Sequence, residues 1–224
     1  MVERNGPLFV PAVALLLAVV AGGCSLFSKS LFPKKAGVRL AHFSEQAPAP
    51  GEAAPLFELR DLDGRIVRLA DLLGDRPVVL QLGSHSCPVY RYRRHWMDGL
   101  IEEYRDRVHF LLVYTIEAHP VGSKSPYADG EWDPWINRLT GVRVRQPSSL
   151  QERTSQAERS FTKLKLEQAM VVDEMDDAVW RAYGSASAPA FVIDRNGVVV
   201  ARQVWIAPAR IRELLDRLLA EEPP

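Results

Sequence analysis

The sequence predicts an α/β domain with a central mixed sheet flanked by helices, and three observations carry that expectation. From residue 55 onward, strand-length apolar runs alternate with helix-length amphipathic segments. The alternation closes with a hairpin and a terminal helix rather than another crossover. The 224 residues are 47% hydrophobic and 25% charged, the balance of an ordinary globular chain.

Each element has its own local reason. Phe57 to Leu59 and Ile66 to Leu69 alternate in polarity around Asp63-Gly64, a hairpin turn signal, and form an N-terminal hairpin extension. Residues 77–83, PVVLQLG, read as a buried strand. A helix is expected from Pro88 to about Arg105, because proline at the first helical position sacrifices an N–H that has no partner anyway. Trp96, Met97, Leu100, Ile101 and Tyr104 mark its apolar side. Residues 108–114, VHFLLVY, supply the next strand. Ser149 and Glu152 form a capping box for a helix reaching Leu164. Ala169 to Val172 is a strand, followed by a short helix ending near Tyr183. Ala190 to Asp194 and Val198 to Gln203 flank Arg195-Asn196-Gly197 as a hairpin, and Pro208 opens the last helix, with Ile211, Leu214, Leu215 and Leu218 on one face.

Composition narrows the function classes. Lys+Arg and Asp+Glu both number 28, so no global basic field draws the chain to nucleic acid. Two cysteines, Cys24 and Cys87, exclude a disulfide framework. His85 and Cys87 are too few for a metal site, so no metal or prosthetic cofactor is expected.

The N-terminus points to the membrane. Residues 7–21 are continuously apolar and suit a signal-peptide core. Ala21-Gly22-Gly23-Cys24 resembles a bacterial lipobox, which implies cleavage after residue 23 and lipidation of Cys24; the competing reading is an uncleaved anchor. Residues 24–54 read as a tether, basic in its first half and Ala/Pro-rich in QAPAPGEAAP, a stretch not expected to pack. The domain then spans 55–224, attached to a membrane in the cell envelope.

Cys87 is the chemical centre of the sequence. It lies between a buried strand and the proline that begins a helix, where unsatisfied N–H groups and the helix dipole favour an anion. A depressed thiol pKa and a nucleophilic thiolate are therefore expected. Strand, Cys-Pro, helix and a later Ala188-Pro189 before a hairpin resemble the thioredoxin-like fold. That likeness implies that Pro189 is the cis-proline facing the cysteine. Cys87-Pro88-Val89-Tyr90 puts Tyr90 where a second cysteine usually stands, so the site has one thiol and needs an external one.

Longer stretches resemble the iodothyronine deiodinase family. They are Gly83-Ser84-His85-Ser86-Cys87-Pro88, Phe110 to Tyr114, Glu117-Ala118-His119-Pro120, Val144-Arg145-Gln146 with Leu150 to Arg153, and Val171 to Asp176, in register over about residues 55–219. The resemblance implies a reductive dehalogenase of iodinated or other halogenated phenols. Cys87 stands at the family's selenocysteine and attacks the halogen, and an external thiol or a thioredoxin-like reductase regenerates it. Turnover slower than with selenium follows. His85 replaces a nearby family cysteine. The stretch after Pro120, VGSKSPYADGEW, is longer than the family's turn, and Pro189-Ala190-Phe191 stands where vertebrate members have Pro-Glu-Arg.

Glu117 and His119 follow the strand after the cysteine helix, so they join Cys87 as catalytic candidates able to protonate the ring carbon. Ser84, His85 and Pro189 are the substrate-binding candidates. Ser84 either bonds the sulfur or satisfies the turn, and His85 either pairs with the thiolate or lies exposed. Arg91, Arg93, Arg94 and His95 read first as a solvated helix face, and second as cations that hold a phenolate or carboxylate or deepen the thiolate's stabilisation. Trp132 and Trp135 read as plugs of their loop or as an aromatic wall for a ring substrate. Two other readings stand beside the dehalogenase. One is a one-cysteine peroxidase, to which Ser84 three residues before the cysteine conforms and Leu80 seven before it does not. The other is a non-catalytic thioredoxin-like envelope module. A homodimer is compatible with either.

Overall fold

The structure, a computed structural model, describes residues 42–220. The apolar run 7–21, Cys24 and the basic first half of the tether lie outside the described residues. Among the described residues no helix is long and apolar enough to cross a membrane.

The elements run α1 (Phe43–Gln46), β1 (Glu58–Asp61), β2 (Ile66–Arg68), α2 (Leu69–Leu72), β3 (Val78–Gly83), α3 (Pro88–Tyr104), β4 (His109–Tyr114), α4 (Trp135–Leu139), α5 (Leu150–Leu164), β5 (Ala169–Val172), α6 (Ala178–Ala182), β6 (Ala190–Ile193), β7 (Val199–Gln203) and α7 (Pro208–Ala220). One seven-stranded sheet has the order β2-β1-β5-β4-β3-β6-β7. Its centre, β5-β4-β3, is parallel, and the remaining pairs are antiparallel, as the expected mixed sheet requires. All six residues of β3 are buried because helices cover both faces. The C-terminal ends of β3, β4 and β5 lie together, and the loops leaving them carry the reactive candidates.

Local signals hold at most boundaries. The Ser149 hydroxyl accepts from Glu152 N–H at 3.2 Å. The Glu152 carboxylate reaches one residue further back than a reciprocal box requires, accepting from Ser148 N–H at 2.7 Å. On α7, Ile211 and Leu215 are fully buried against α3, each contributing about 1.5–3 kcal/mol of hydrophobic stabilisation.

Two expectations are corrected. Trp96 is 49% exposed and does not belong to the apolar side of α3; Tyr90, Met97, Leu100, Ile101 and Tyr104 take that face instead. Residues 43–54 are no loose spacer either. Phe43, Ala47 and Ala54 are buried in the main core. Gly51 N–H donates to Val199 O at 2.8 Å and Ala54 N–H to Gly197 O at 2.8 Å, so this segment lies along β7 and its turn. Arg202 donates to Ser44 O at 2.8 Å and also to Ala47 O, with its guanidinium over the Phe43 ring. Gly184 makes the approach feasible, because a Cβ there would fall 2.6 Å from Ala47 Cβ. The proline-rich composition that suggested a tether instead avoids the donors a buried strand would need.

Candidate active site

Cys87 is the N-cap residue of α3, with Pro88 at the first helical position as expected. The turn before it is closed by Cys87 N–H donating to Ser84 O at 3.1 Å. Gly83 ends the strand here because the Tyr90 ring lies against it, and a Cβ would sit 2.8 Å from Tyr90 Cδ2. Tyr90, at the second-cysteine position, is fully buried, and burial pushes its hydroxyl far above the ordinary tyrosine range.

The thiol itself departs from expectation. Cys87 is 1% exposed, packed among Tyr90, Tyr114, Tyr127 and Ala188, with Trp132 and Trp205 at the edge of the cluster. Burial raises its pKa. The N–H groups of Tyr90 and Val89, the Ser187 hydroxyl and the Arg91 guanidinium pull the other way without prevailing. The physical reason is that enclosure strips water from the sulfur, and the hydrogen bonds and charge around it do not make up for that loss. Its nearest polar contact is Ser187, with Sγ to Oγ 3.7 Å.

The expected cis-proline is corrected too: the Ala188–Pro189 bond is trans. Its flanking carbonyls are engaged in the sheet, Pro189 O accepting from Leu82 N–H at 3.1 Å and Ala188 O from Ile206 N–H at 2.9 Å. Ser187 and the buried Ala188 are neighbours this segment brings to the cysteine.

Glu117 and His119 converge on the cysteine turn through Ser86. Ser86 N–H donates to Glu117 Oε2 at 2.8 Å, and His119 N–H donates to Ser86 Oγ at 2.9 Å. The second Glu117 oxygen accepts from the Tyr114 hydroxyl. Glu117 is fully buried, and burial raises its pKa against the hydrogen bonds from Ser86 and Tyr114 and the charge of Arg91. His119 is held near neutral form, its pKa brought down to about 4 chiefly by burial. Its Nδ1 lies 3.2 Å from Trp132 O. A carbonyl only accepts, so Nδ1 carries the proton and Nε2 keeps a lone pair. The Trp132 ring stands edge-on to the imidazole at 4.3 Å.

Ser84 satisfies the turn: its hydroxyl accepts from Ala118 N–H at 3.1 Å, tying the loop after β4 to the loop after β3. His85 is 8% exposed and turns toward α5, with Nδ1 3.1 Å from Ser160 Oγ. Burial, then the charges of Arg91, Lys163 and Arg159, bring its pKa down to about 4.

Sequence reasoning held a role for Arg91 as its second reading and passed over the rest of this constellation. Arg91 is not a solvated charge: it donates to His85 O at 2.5 Å and to Asn137 Oδ1 at 2.6 Å. Asn137, fully buried, returns a bond from Nδ2 to Ser86 O at 2.8 Å. Tyr114 and Ser187 were equally hidden. Arg91 stands one helical turn beyond Cys87, within the cationic run the sequence singled out, whereas nothing local marks Asn137. Among the described residues no His, Cys, Asp or Glu cluster could hold a metal ion.

Comparison with known proteins identifies the family and the fold. The iodothyronine deiodinase family model matches residues 26–208. Thyroxine 5-deiodinase of Gallus gallus is 32% identical over 155 residues, covering 66% of this chain and 54% of the relative. Thyroxine 5-deiodinase of Ovis aries is 30% identical over 126 residues, 56% of this chain and 39% of the relative. The match thus spans about half the length of these relatives or less. Among solved structures, the thioredoxin domain of a thiol-disulfide oxidoreductase from Bacteroides vulgatus superposes with TM-score 0.53 at 16% identity, covering 75% of this chain and 99% of that one. A thiol:disulfide interchange protein from Bacteroides sp. gives TM-score 0.55 at 14% identity, over 78% and 93%. The fold is thioredoxin-like, and the chain belongs to the iodothyronine deiodinase family.

Proposed function

We propose that this protein is a thiol-dependent oxidoreductase that removes halogen reductively from iodinated or other halogenated phenols through Cys87. The observation that carries the reading is the juncture of Cys87 with the buried Tyr114–Glu117 pair and the lone pair of His119, all bound to one turn through Ser86. In the first half-reaction, His119 Nε2 accepts the phenol proton while the Glu117 carboxyl, linked to Tyr114, protonates the carbon bearing iodine. As the Cys87 sulfur takes iodine, the thiol proton replaces the one Glu117 gave up, the C–I electron pair returns to the ring, and His119 hands its proton back to the phenolate. The products are the deiodinated phenol and a cysteine sulfenyl iodide. An external thiol then displaces iodide to form a mixed disulfide, and a second thiol releases Cys87 with formation of the external disulfide. Because Cys87 is buried, the aromatic cover of Tyr127 and Trp132 has to part for the ring to enter.

Iodide release from an iodothyronine under excess dithiol, with Cys87→Ala as control, tests the reading. Release that disappears in the variant supports it; equal release in both overturns it. The peroxidase alternative is less well supported, since Leu80 stands where its proline is expected, seven residues before the cysteine. We further propose attachment to the envelope membrane through the N-terminus, which mass spectrometry of the membrane fraction checks: an unprocessed, unacylated Cys24 would sink the lipoprotein assignment.

A further inference from the structure

Of the phenol rings in the Cys87 cluster, one is carried by a loop. Tyr90 belongs to α3 and Tyr114 to β4, whereas Tyr127 sits in the stretch after Pro120 that exceeds the family's turn. Its side chain is 3% exposed. The Trp180 ring stands edge-on to it at 6.3 Å, and the Trp180 indole N–H donates to Tyr127 Oη at 3.0 Å. The same N–H reaches Ala186 O at 3.1 Å, next to Ser187, whose hydroxyl lies 3.7 Å from the sulfur.

The Tyr127 oxygen is engaged on one side only. It accepts from Trp180, but its own proton has no acceptor among the described residues. A buried donor left without an acceptor is destabilising, and a tyrosine that serves packing alone normally pairs it, as Tyr183 does with Pro55 O at 2.8 Å. The Tyr90 hydroxyl is also unpaired, but its ring is pinned against Gly83. Tyr127 has more freedom. Its segment is tied before the ring, where Ser125 Oγ donates to Ala118 O at 2.7 Å, and is exposed after it at Asp129, Gly130 and Glu131. A Cβ on Gly122 or Gly130 would meet nothing within 4 Å, so open space adjoins both ends.

We propose that the Tyr127 ring holds the seat of the substrate's phenol: when the loop swings out, the Trp180 N–H is left to bind the incoming phenol oxygen beside Cys87. An oxygen that accepts from Trp180 keeps its own proton, the one the first half-reaction passes to His119. The inference rests on the dehalogenase reading for the identity of the substrate, and its binding test does not.

That test uses 4-methylphenol, the tyrosine side chain as a free molecule with no halogen to lose, and toluene as the control without oxygen. Protection of Cys87 against iodoacetamide is followed in the full-length chain in detergent micelles. Half-protection of Tyr127→Ala is expected at about tenfold less 4-methylphenol than wild type needs, because the wild-type chain has first to displace its own ring. Adding Trp180→Phe should abolish the preference for 4-methylphenol over toluene. No protection in Tyr127→Ala, a value equal to wild type, or a preference that survives Trp180→Phe overturns the site. Should Tyr127→Ala not fold, Tyr127→Phe keeps the ring and gives up only the oxygen; severalfold easier protection is expected there, and an unchanged value overturns the site. In a kinetic arm, Trp180→Phe should raise KM for 2-iodo-4-methylphenol about fivefold, and an unchanged KM overturns the substrate role. Absence of iodide release from wild type would strike the dehalogenase reading alone, with the protection data still deciding the phenol site.

Discussion

Glu117 and Asp173 are both fully buried carboxyls just beyond the C-terminal ends of neighbouring parallel strands, and burial raises both pKa values, Asp173 to about 6. They differ in what satisfies them. Asp173 accepts only from backbone, from the N–H groups of Glu174 at 3.0 Å, Val179 at 3.2 Å and Trp180 at 2.9 Å, and so fixes the start of α6. Glu117 accepts from one backbone N–H and from the Tyr114 hydroxyl, a side-chain donor whose own ionisation burial pushes well above the ordinary tyrosine range. A carboxyl enclosed by amides holds structure, whereas Glu117 has a side-chain partner, and the proposed reaction assigns it the proton transfer. Burial alone therefore does not separate a catalytic acid from a structural one; the partners do.

The largest expected effect breaks or confirms that distinction directly. Glu117→Gln should lower turnover by about 10²-fold or more, the usual contribution of a positioned acid, with little change in stability. Asp173→Asn should do the reverse, costing about 1–3 kcal/mol in denaturant unfolding while folded molecules keep most of their turnover. Equal turnover losses at equal folded fraction would end the comparison. Next in size, Tyr114→Phe removes the donor to Glu117 and should cost about tenfold in kcat, read from iodide release, and about 1 kcal/mol of stability.

The pH dependence sharpens the structural half. Asp173 is protonated more readily folded than unfolded, its pKa rising from 3.8 to about 6. Its contribution is fully present below about pH 4 and lost as pH rises through 6. The stability gap between wild type and Asp173→Asn should thus widen as pH falls from 7 to 4 in urea titrations; a gap that narrows would refute the assignment. His119 runs in the opposite direction. Its pKa falls from 6.5 to about 4 on folding, so relative to His119→Gln the wild type should lose stability as pH falls through that window. Smallest is Ser187→Ala. Without the hydroxyl near the sulfur, the thiol pKa rises further, and alkylation of Cys87 by iodoacetamide at fixed pH should slow several-fold.

What the sequence conveyed depended on how far apart the interacting residues lie. The start of α3 at Pro88, the span of α5, the Asp63-Gly64 turn and both hairpins follow from patterns within about ten residues, and there the reading and the structure coincide. The placement of Cys87 between strand and helix belongs to the same class. Trp96 was misjudged because helical spacing defines a stripe but not its edge, and the packing of residues 43–54 depends on β7, some 150 residues away.

By itself, then, the sequence determined the order of the strands and longer helices, the single thiol of the domain and the loop that carries Glu117 and His119. Only the tertiary structure decided the chemical state of those groups. The bonds that matter join Ser86 to Glu117, Arg91 to Asn137 and Cys87 to Ser187 across 31, 46 and 100 residues. Burial set the pKa of the thiol in the direction opposite to the one the helix terminus suggested. Local pattern encodes which backbone conformation is cheap, whereas desolvation and long-range hydrogen bonds exist only once the chain has closed on itself.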